Sequence, residues 1–197
     1  MHKNRYIFNE CDSDFITNNV EYDSIVDGEG MRIVLWTQGC PHNCIGCHNP
    51  STHSFKDGFL TNTEDIIKDL SENIKYHDGI TLSGGDPFIQ AKAVNEIASY
   101  IKSEGKDVWA YTGYDFEELL KSNNKDINNL LSNIDVLVDG KFILEEFSMD
   151  LYYRGSRNQR IIDVKKSLKY DKVILIDKYM KEKNNKSKYE KKDYIFV

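Results

Sequence analysis

The chain has 197 residues, 40 % of them hydrophobic and 12 % aromatic, enough for one buried core within the usual size of a domain. A net charge of −6 argues against a general nucleic-acid-binding surface. No run of about 18 apolar residues offers a membrane span, and the stretch from Met1 lacks the apolar region of a secretory signal, so a cytoplasmic protein is expected.

Residues 1–21 and 170–197 lie outside the recognisable core. Asp27-Gly28-Glu29-Gly30-Met31-Arg32 reads as a glycine turn before the first strand. Residues 32–36, β-branched and apolar, read as a buried strand. The strand runs straight into Gly39-Cys40-Pro41-His42-Asn43-Cys44-Ile45-Gly46-Cys47-His48-Asn49-Pro50. Thr61 with Glu64 resembles a capping box, and Ile66, Ile67, Leu70 and Ile74 follow at helical spacing. Residues 79–83 form a second strand, ending at Gly84-Gly85-Asp86-Pro87. A helix with Val94, Ile97, Ala98 and Ile101 on one face comes next. A third strand at 107–111 ends at Thr112-Gly113. The helical stretch 116–131 is broken at Ser122-Asn123-Asn124. A fourth strand at 134–138 ends at Asp139-Gly140-Lys141, and 160–164 and 172–176 are later strand candidates. The end is basic, with seven Lys against three carboxylates in 178–193, a pattern that reads as a solvated tail.

Strands alternating with helices predict an α/β fold of parallel βαβ units. An eightfold barrel needs about 250 residues, so an open, partial β/α barrel fits the length better. One domain is expected over residues 1–197, with its core at 26–163. The cysteine loop, Gly84-Gly85, Thr112-Gly113 and Asp139-Gly140-Lys141 all follow the C-terminal ends of strands. That edge of a parallel sheet is where ligands and chemistry collect.

Cys40, Cys44 and Cys47 have the spacing C-x3-C-x2-C, within eight residues of each other. In a reducing cytosol such a group reads as a metal site rather than as disulfides. Three thiolates on one loop can hold three corners of a four-iron cluster and leave the fourth iron open. The competing reading is zinc, with the same three joined by His42 or His48. Cys11 is left over and reads as a free thiol.

The cysteine loop resembles the signature of the radical S-adenosylmethionine (SAM) enzymes. A narrower match comes from the order of the motifs: Asp27 to Arg32, the cysteines, Leu82-Ser83-Gly84-Gly85-Asp86-Pro87, Tyr111-Thr112-Gly113-Tyr114, Val136-Leu137-Val138-Asp139-Gly140-Lys141-Phe142, and Arg154-Gly155-Ser156-Arg157-Asn158-Gln159-Arg160. In that order they are similar to the activating proteins of anaerobic (class III) ribonucleotide reductases.

The resemblance implies an open partial barrel of the radical SAM type and a 4Fe-4S cluster on Cys40, Cys44 and Cys47. SAM would bind the open iron, and its C5′–S bond would break on reduction. The resulting 5′-deoxyadenosyl radical would take a hydrogen atom from one glycine Cα of anaerobic ribonucleoside-triphosphate reductase. Gly46, Cys47 and His48 are implied neighbours of SAM. Gly84, Gly85 and Asp86 are implied contacts of its methionine end, through backbone that glycine lets approach closely. Thr112, Asp139 and Lys141 stand at strand ends, either as contacts of the ribose or carboxylate or as solvated loop groups. The run from Arg154 to Arg160 closes the site, docks the partner's glycine loop, or packs through Arg–carboxylate pairs. A low-potential donor such as a flavodoxin is the implied reductant. The rival readings are an activase of another glycyl-radical enzyme such as pyruvate formate-lyase, a small-molecule radical SAM enzyme of the deazapurine-forming kind, and a non-enzymatic zinc or iron–sulfur module.

Overall fold

A computed structural model describes residues 14–183; Cys11 and the lysines from 186 onward lie outside them. The elements are β1 (Asp14–Ser24), β2 (Arg32–Thr37), β3 (Phe59–Asn62), α1 (Thr63–Asn73), β4 (Gly79–Gly84), α2 (Ala91–Ser103), β5 (Asp107–Tyr111), α3 (Phe116–Lys121), α4 (Lys125–Asn133), β6 (Val136–Asp139), β7 (Arg160–Asp163), α5 (Val164–Tyr170) and α6 (Asp177–Met180). All seven strands join one sheet in the order β3-β1-β2-β4-β5-β6-β7. The central four, β2-β4-β5-β6, run parallel. Antiparallel strands flank them: β1 and β3 on one side, β7 on the other. The outer strands do not pair with each other, so the sheet is open, as the α/β reading expected.

Parallel strands are buried on both faces, and alternate side chains serve different cores. Ile33, Leu35, Ile80, Leu82, Val108 and Ala110 point to the helices, where Leu70, Val94, Ile97, Ile101, Leu130 and Leu131 meet them. The opposite face is filled at its lower end by Trp109, Val138, Ile161 and Tyr179. Arg32, fully buried, shares this side. Its guanidinium donates to Thr81 Oγ1 at 2.7 Å and to the carbonyls of Ile80 and Glu29 at 2.7 and 3.0 Å. It pairs with Asp107 at 2.6 Å and lies 5.4 Å from the Trp109 ring centroid. A buried charge satisfied this fully is tolerated in the interior, and it fixes the start of β2 against β4 and β5.

Three sequence readings change. The helix after the cysteine loop is capped by Asn62, whose side chain accepts from Asp65 N, while Thr61 belongs to β3. Residues 172–176 are not a strand: Leu175 forms one isolated bridge with Ile162, and the chain turns into α6. Residues 14–21, placed outside the core, begin the longest strand. The break at Ser122-Asn123-Asn124 stands; Asn124 starts a new helix by accepting from Asp126 N and Ile127 N.

Candidate functional site

The cysteine loop leaves β2 at Gln38, which is buried and fixes the loop's two ends together. The Gln38 side-chain amide donates to Ser51 O (3.1 Å) and Ser54 O (2.8 Å), and the Gln38 main-chain carbonyl accepts from Gln90 Nε2 (3.1 Å). Gly39 N and Cys40 N donate to Thr52 O and His53 O at 2.8 and 3.2 Å. Within the loop the chain reverses at Asn43 and Gly46, both with positive φ (48° and 76°). Cys47 N then donates to Cys44 O at 3.2 Å.

The result places Cys40, Cys44 and Cys47, all half-buried and none in a disulfide, around one recess of about 120 Å³ that Gly84, Gly85 and Thr112 also line. Burial pushes the Cys40 and Cys47 thiols up from the usual cysteine range, although the backbone N–H of His42 and of Asn49 pull the other way. Asn49 N donates to Cys47 Sγ at 3.4 Å. Thiols in this setting become thiolates when a metal takes the place of the proton.

The donor set suits a cluster better than a single ion. Among the described residues, no three His, Cys, Asp or Glu side chains converge on one metal position. A zinc site needs that convergence and a fourth ligand, whereas each cysteine of a cluster binds a different iron. Two histidines, His42 and His53, border the recess beside the cysteines, and His42 is already engaged by Asp86. His42 Nε2 lies 2.7 Å from Asp86 Oδ2. The His48 ring stands 5.1 Å from that of Phe142 and 5.9 Å from that of Phe147.

Asp86 is the joint of the site. Its side chain is almost completely buried. One oxygen accepts from Phe88 N at 3.0 Å and so caps the short helical turn Pro87–Gln90. The other accepts from Thr112 Oγ1 (2.9 Å) and Gly113 N (3.1 Å) and meets His42 Nε2. One carboxylate thus ties the cysteine loop, the end of β4 and the end of β5 together. The His42 ring is also packed edge-on against Tyr114, with 4.5 Å between centroids. Asp86 and Thr112 are therefore spent on each other, and what this shelf offers the recess is backbone.

Gly85 shows how tight the shelf is. Its N–H donates to Thr37 O at 2.7 Å, and a Cβ added there would fall 2.2 Å from Gly39 O. A methyl group at that distance from backbone forces the cysteine loop off the end of β4. Gly85→Ala is expected to fold with unchanged far-ultraviolet circular dichroism yet retain less than half of the wild-type iron and sulfide per chain. Full cluster content in this variant would show that the loop does not depend on the close approach.

Beyond Cys47 the recess opens into a cleft of about 410 Å³, whose walls include Asp27, Trp36, His48, Tyr111, Phe142 and Arg154. Burial raises the pKa of Asp27, whose carboxylate accepts from Ser24 Oγ at 2.5 Å. Tyr111 donates its hydroxyl to Tyr153 O at 2.8 Å. Trp36, Ser83 and Tyr111 also line the cleft, although the sequence reading names none of them as a site residue. They occupy the same face as Arg32, Thr81 and Trp109, so period-two counting along β2, β4 and β5 finds them.

Asp139 and Lys141 stand elsewhere. Asp139 is fully buried and turned toward Arg160 and the start of α3, where it accepts from Phe116 N at 2.8 Å. Lys141 is exposed and lines neither cavity; Gly140, between them, lines the recess. The run from Arg154 to Arg160 acts as a fastener. Gln159 accepts from Gly155 N and Ser156 N (2.8 and 3.1 Å) and donates to Gly140 O (3.0 Å). Asn158 donates to Lys141 O at 2.8 Å, Arg154 to the carbonyls of Arg157, Gln159 and Met180, and Arg160 pairs with Asp139 and Glu117. Of the readings open for this run, packing describes its observed contacts, although Arg154, Gly155 and Gln159 also border the cleft.

Comparison with known proteins places this geometry in context. The 4Fe-4S single cluster domain family matches residues 26–162. Anaerobic ribonucleoside-triphosphate reductase-activating protein of Vibrio cholerae is 44 % identical over 144 residues, covering 70 % of this chain and 90 % of its own. The protein of the same name in Haemophilus influenzae is 40 % identical over 144 residues, again covering 70 % and 90 %. Among solved structures, QueE from Escherichia coli overlays 51 % of this chain and 52 % of its own at 16 % identity and a TM-score of 0.44, too loose to add to the argument.

Proposed function

From its place among the anaerobic ribonucleoside-triphosphate reductase-activating proteins, the family to which the chain belongs, we propose that it uses a 4Fe-4S cluster and SAM to install a glycyl radical on that reductase. The observation that carries this reading is the recess itself. Three unpaired cysteines and the backbone of Gly84 and Gly85 face one space at the C-terminal edge of a parallel sheet. Cys40, Cys44 and Cys47 hold the cluster in this reading. Gly46, His48, Gly84 and Gly85 border SAM, while Asp86 and Thr112 position the shelf behind it. Asp139 and Lys141 line neither the recess nor the cleft and have no part in this reading.

Held by Cys40, Cys44 and Cys47, the cluster would supply the electron for reductive cleavage of SAM, and the two groups together would supply the hydrogen-abstracting chemistry that a glycine Cα requires. The chain's own work is to hold and orient. Gln38 and the Asp86 joint fix the cysteine loop against β4 and β5. Trp36, Tyr111 and Phe142 give the cleft an aromatic wall that excludes water beside the reacting groups.

The chain acts as one domain in this proposal, supported by the single sheet that residues 14–183 share. It works in the cytoplasm and receives electrons from a low-potential carrier of the flavodoxin kind. No described helix is long and apolar enough to cross a membrane.

Anaerobic EPR of the reduced, reconstituted protein with and without SAM tests the first step, and the doublet of a glycyl radical on added reductase tests the second. A four-iron signal that changes with SAM, followed by that doublet, is expected. A SAM-responsive signal with no radical on the reductase would assign the chain another substrate. A signal indifferent to SAM would remove it from this chemistry.

A further inference from the structure

Most of the polar side chains lining the cysteine recess are committed to other parts of the protein. His42 and Thr112 meet Asp86 at 2.7 and 2.9 Å. Tyr111 donates to Tyr153 O at 2.8 Å, and Gln159 donates to Gly140 O at 3.0 Å. Ser83 and His53 remain. Ser83 stands on the border, since it lines the cleft as well as the recess. His53 lines the recess and not the cleft, and its ring nitrogens have no hydrogen-bond partner in the protein. His48 is its opposite, lining the cleft and not the recess, with its ring 5.1 Å from that of Phe142. His53 is half-buried and held by its own backbone. It ends the short turn Pro50–Thr52, where its N–H donates to Pro50 O at 3.3 Å, and its carbonyl accepts from Cys40 N at 3.2 Å. The residue therefore sits across the neck of the loop from the first cysteine.

We propose that His53 donates a ring N–H to a sulfur of the cluster held by Cys40, Cys44 and Cys47, and thereby raises the potential at which that cluster takes its electron. The inference rests on the cluster in the function proposed above and names the residue that tunes it. A neutral imidazole always carries one N–H, so the contact needs no change of protonation. A half-buried donor left without an acceptor is costly, and thiolate and sulfide sulfurs are the acceptors that a cluster brings into this space. Reduction adds one negative charge to the cluster. A hydrogen bond to its sulfur is then stronger in the reduced form, which is how such bonds raise a potential. The electron comes from the low-potential carrier, and His53 keeps its proton throughout. Its place in the recess, away from the cleft, separates this role from contact with SAM. His53 is thus a positioning residue that acts through the cluster, easing its reduction by a carrier of modest driving force.

The test uses the full-length protein, reconstituted anaerobically, with His53→Phe and His53→Gln. Phe keeps an aromatic ring without a donor, and Gln keeps an N–H. Iron and sulfide analysis gives the cluster content. A redox titration followed by EPR, without SAM or reductase, gives the midpoint potential. His53→Phe is expected to keep more than half of its cluster and to lower the equilibrium constant for reduction about tenfold, a midpoint about 59 mV more negative for one electron. His53→Gln is expected to stay within about threefold of the unaltered protein in that constant. A change smaller than about threefold in His53→Phe would overturn the proposal. A fall in His53→Gln as large as in His53→Phe would overturn it too, because the donor is retained there. Loss of more than half of the cluster in His53→Phe would overturn it by making His53 a support of the loop. The titration needs neither SAM nor reductase, so its result stands apart from the activating function. A cluster indifferent to SAM would remove that function while the potentials still decide the role of His53. No four-iron cluster in the unaltered protein would remove both.

Discussion

Cys44→Ala is expected to lose the cluster and, with it, reductive cleavage of SAM, while keeping the fold. Cys44 sits at the centre of the loop, half-buried, between Asn43 and the turn whose N–H from Cys47 reaches Cys44 O at 3.2 Å. That hydrogen bond uses only backbone and survives the substitution. The loop's attachment also survives, because Gln38, the Thr52 and His53 carbonyls and the His42–Asp86 contact lie outside the cysteine side chains. What disappears is one of three thiolates. Groups that merely orient a metal ligand are worth about 10–100-fold in affinity or activity, so removal of a ligand itself should cost more than about 100-fold in SAM cleavage. Iron and sulfide analysis after anaerobic reconstitution, with product analysis for 5′-deoxyadenosine, reads both quantities. A variant that binds a full cluster and cleaves SAM at the unaltered rate would refute the assignment of all three cysteines, since the spacing argument treats them as one unit.

The parts of this molecule that could be read from sequence are those where burial leaves a one-dimensional trace. β2, β4 and β5 are central, parallel and buried, so they appear as short runs rich in β-branched, apolar and aromatic residues, interrupted only by Thr81 and Ser83 in β4. β1 left no such trace. It pairs antiparallel at the flank of the sheet, and its exposed or half-exposed Asn18, Asn19 and Glu21 dilute the pattern. Residues 172–176 carried the trace without being a strand. Ile176 N and Ile174 O do bond to the β7 backbone, at 2.8 and 2.9 Å, but the left-handed Asp171 before them and α6 after them leave too little chain to build a ladder. The same limit governs the site. Counting along the chain puts Asp86, Thr112, Asp139 and Lys141 at the correct edge of the sheet, because strand ends are visible in the pattern. It does not tell which way a side chain turns once there. Asp139 turns to Arg160, twenty-one residues on, and Asp86 to His42, forty-four residues back; both are long-range pairings that no local pattern encodes.

The Asp86 pairing has the second large consequence. Its carboxylate satisfies four donors in a place water does not reach: Phe88 N, Thr112 Oγ1, Gly113 N and His42 Nε2. Asp86→Ala leaves all four without the acceptor. Each buried unmet group costs about 1–3 kcal/mol, and the costs do not add in full because the loop relaxes. A loss of about 3–5 kcal/mol is expected, the range found when buried networks are broken. At about 2–4 °C per kcal/mol for a chain of this size, that is a fall in Tm of about 10 °C. Asp86→Asn separates geometry from acceptor number. Its one carbonyl oxygen can still accept from Thr112 and Gly113, but its amide then points a donor at Phe88 N, so an intermediate loss is expected. The measurement is denaturant unfolding of the cluster-free protein, which reports the joint without the metal. His42→Ala in the Asp86→Asn background completes a cycle. The two losses should fall short of additivity by about 0.5 kcal/mol or more, because the residues share one contact. Full additivity would mean that the 2.7 Å contact between His42 and Asp86 holds nothing in place, and that the cysteine loop is positioned by Gln38 and the backbone bonds of Gly39 and Cys40.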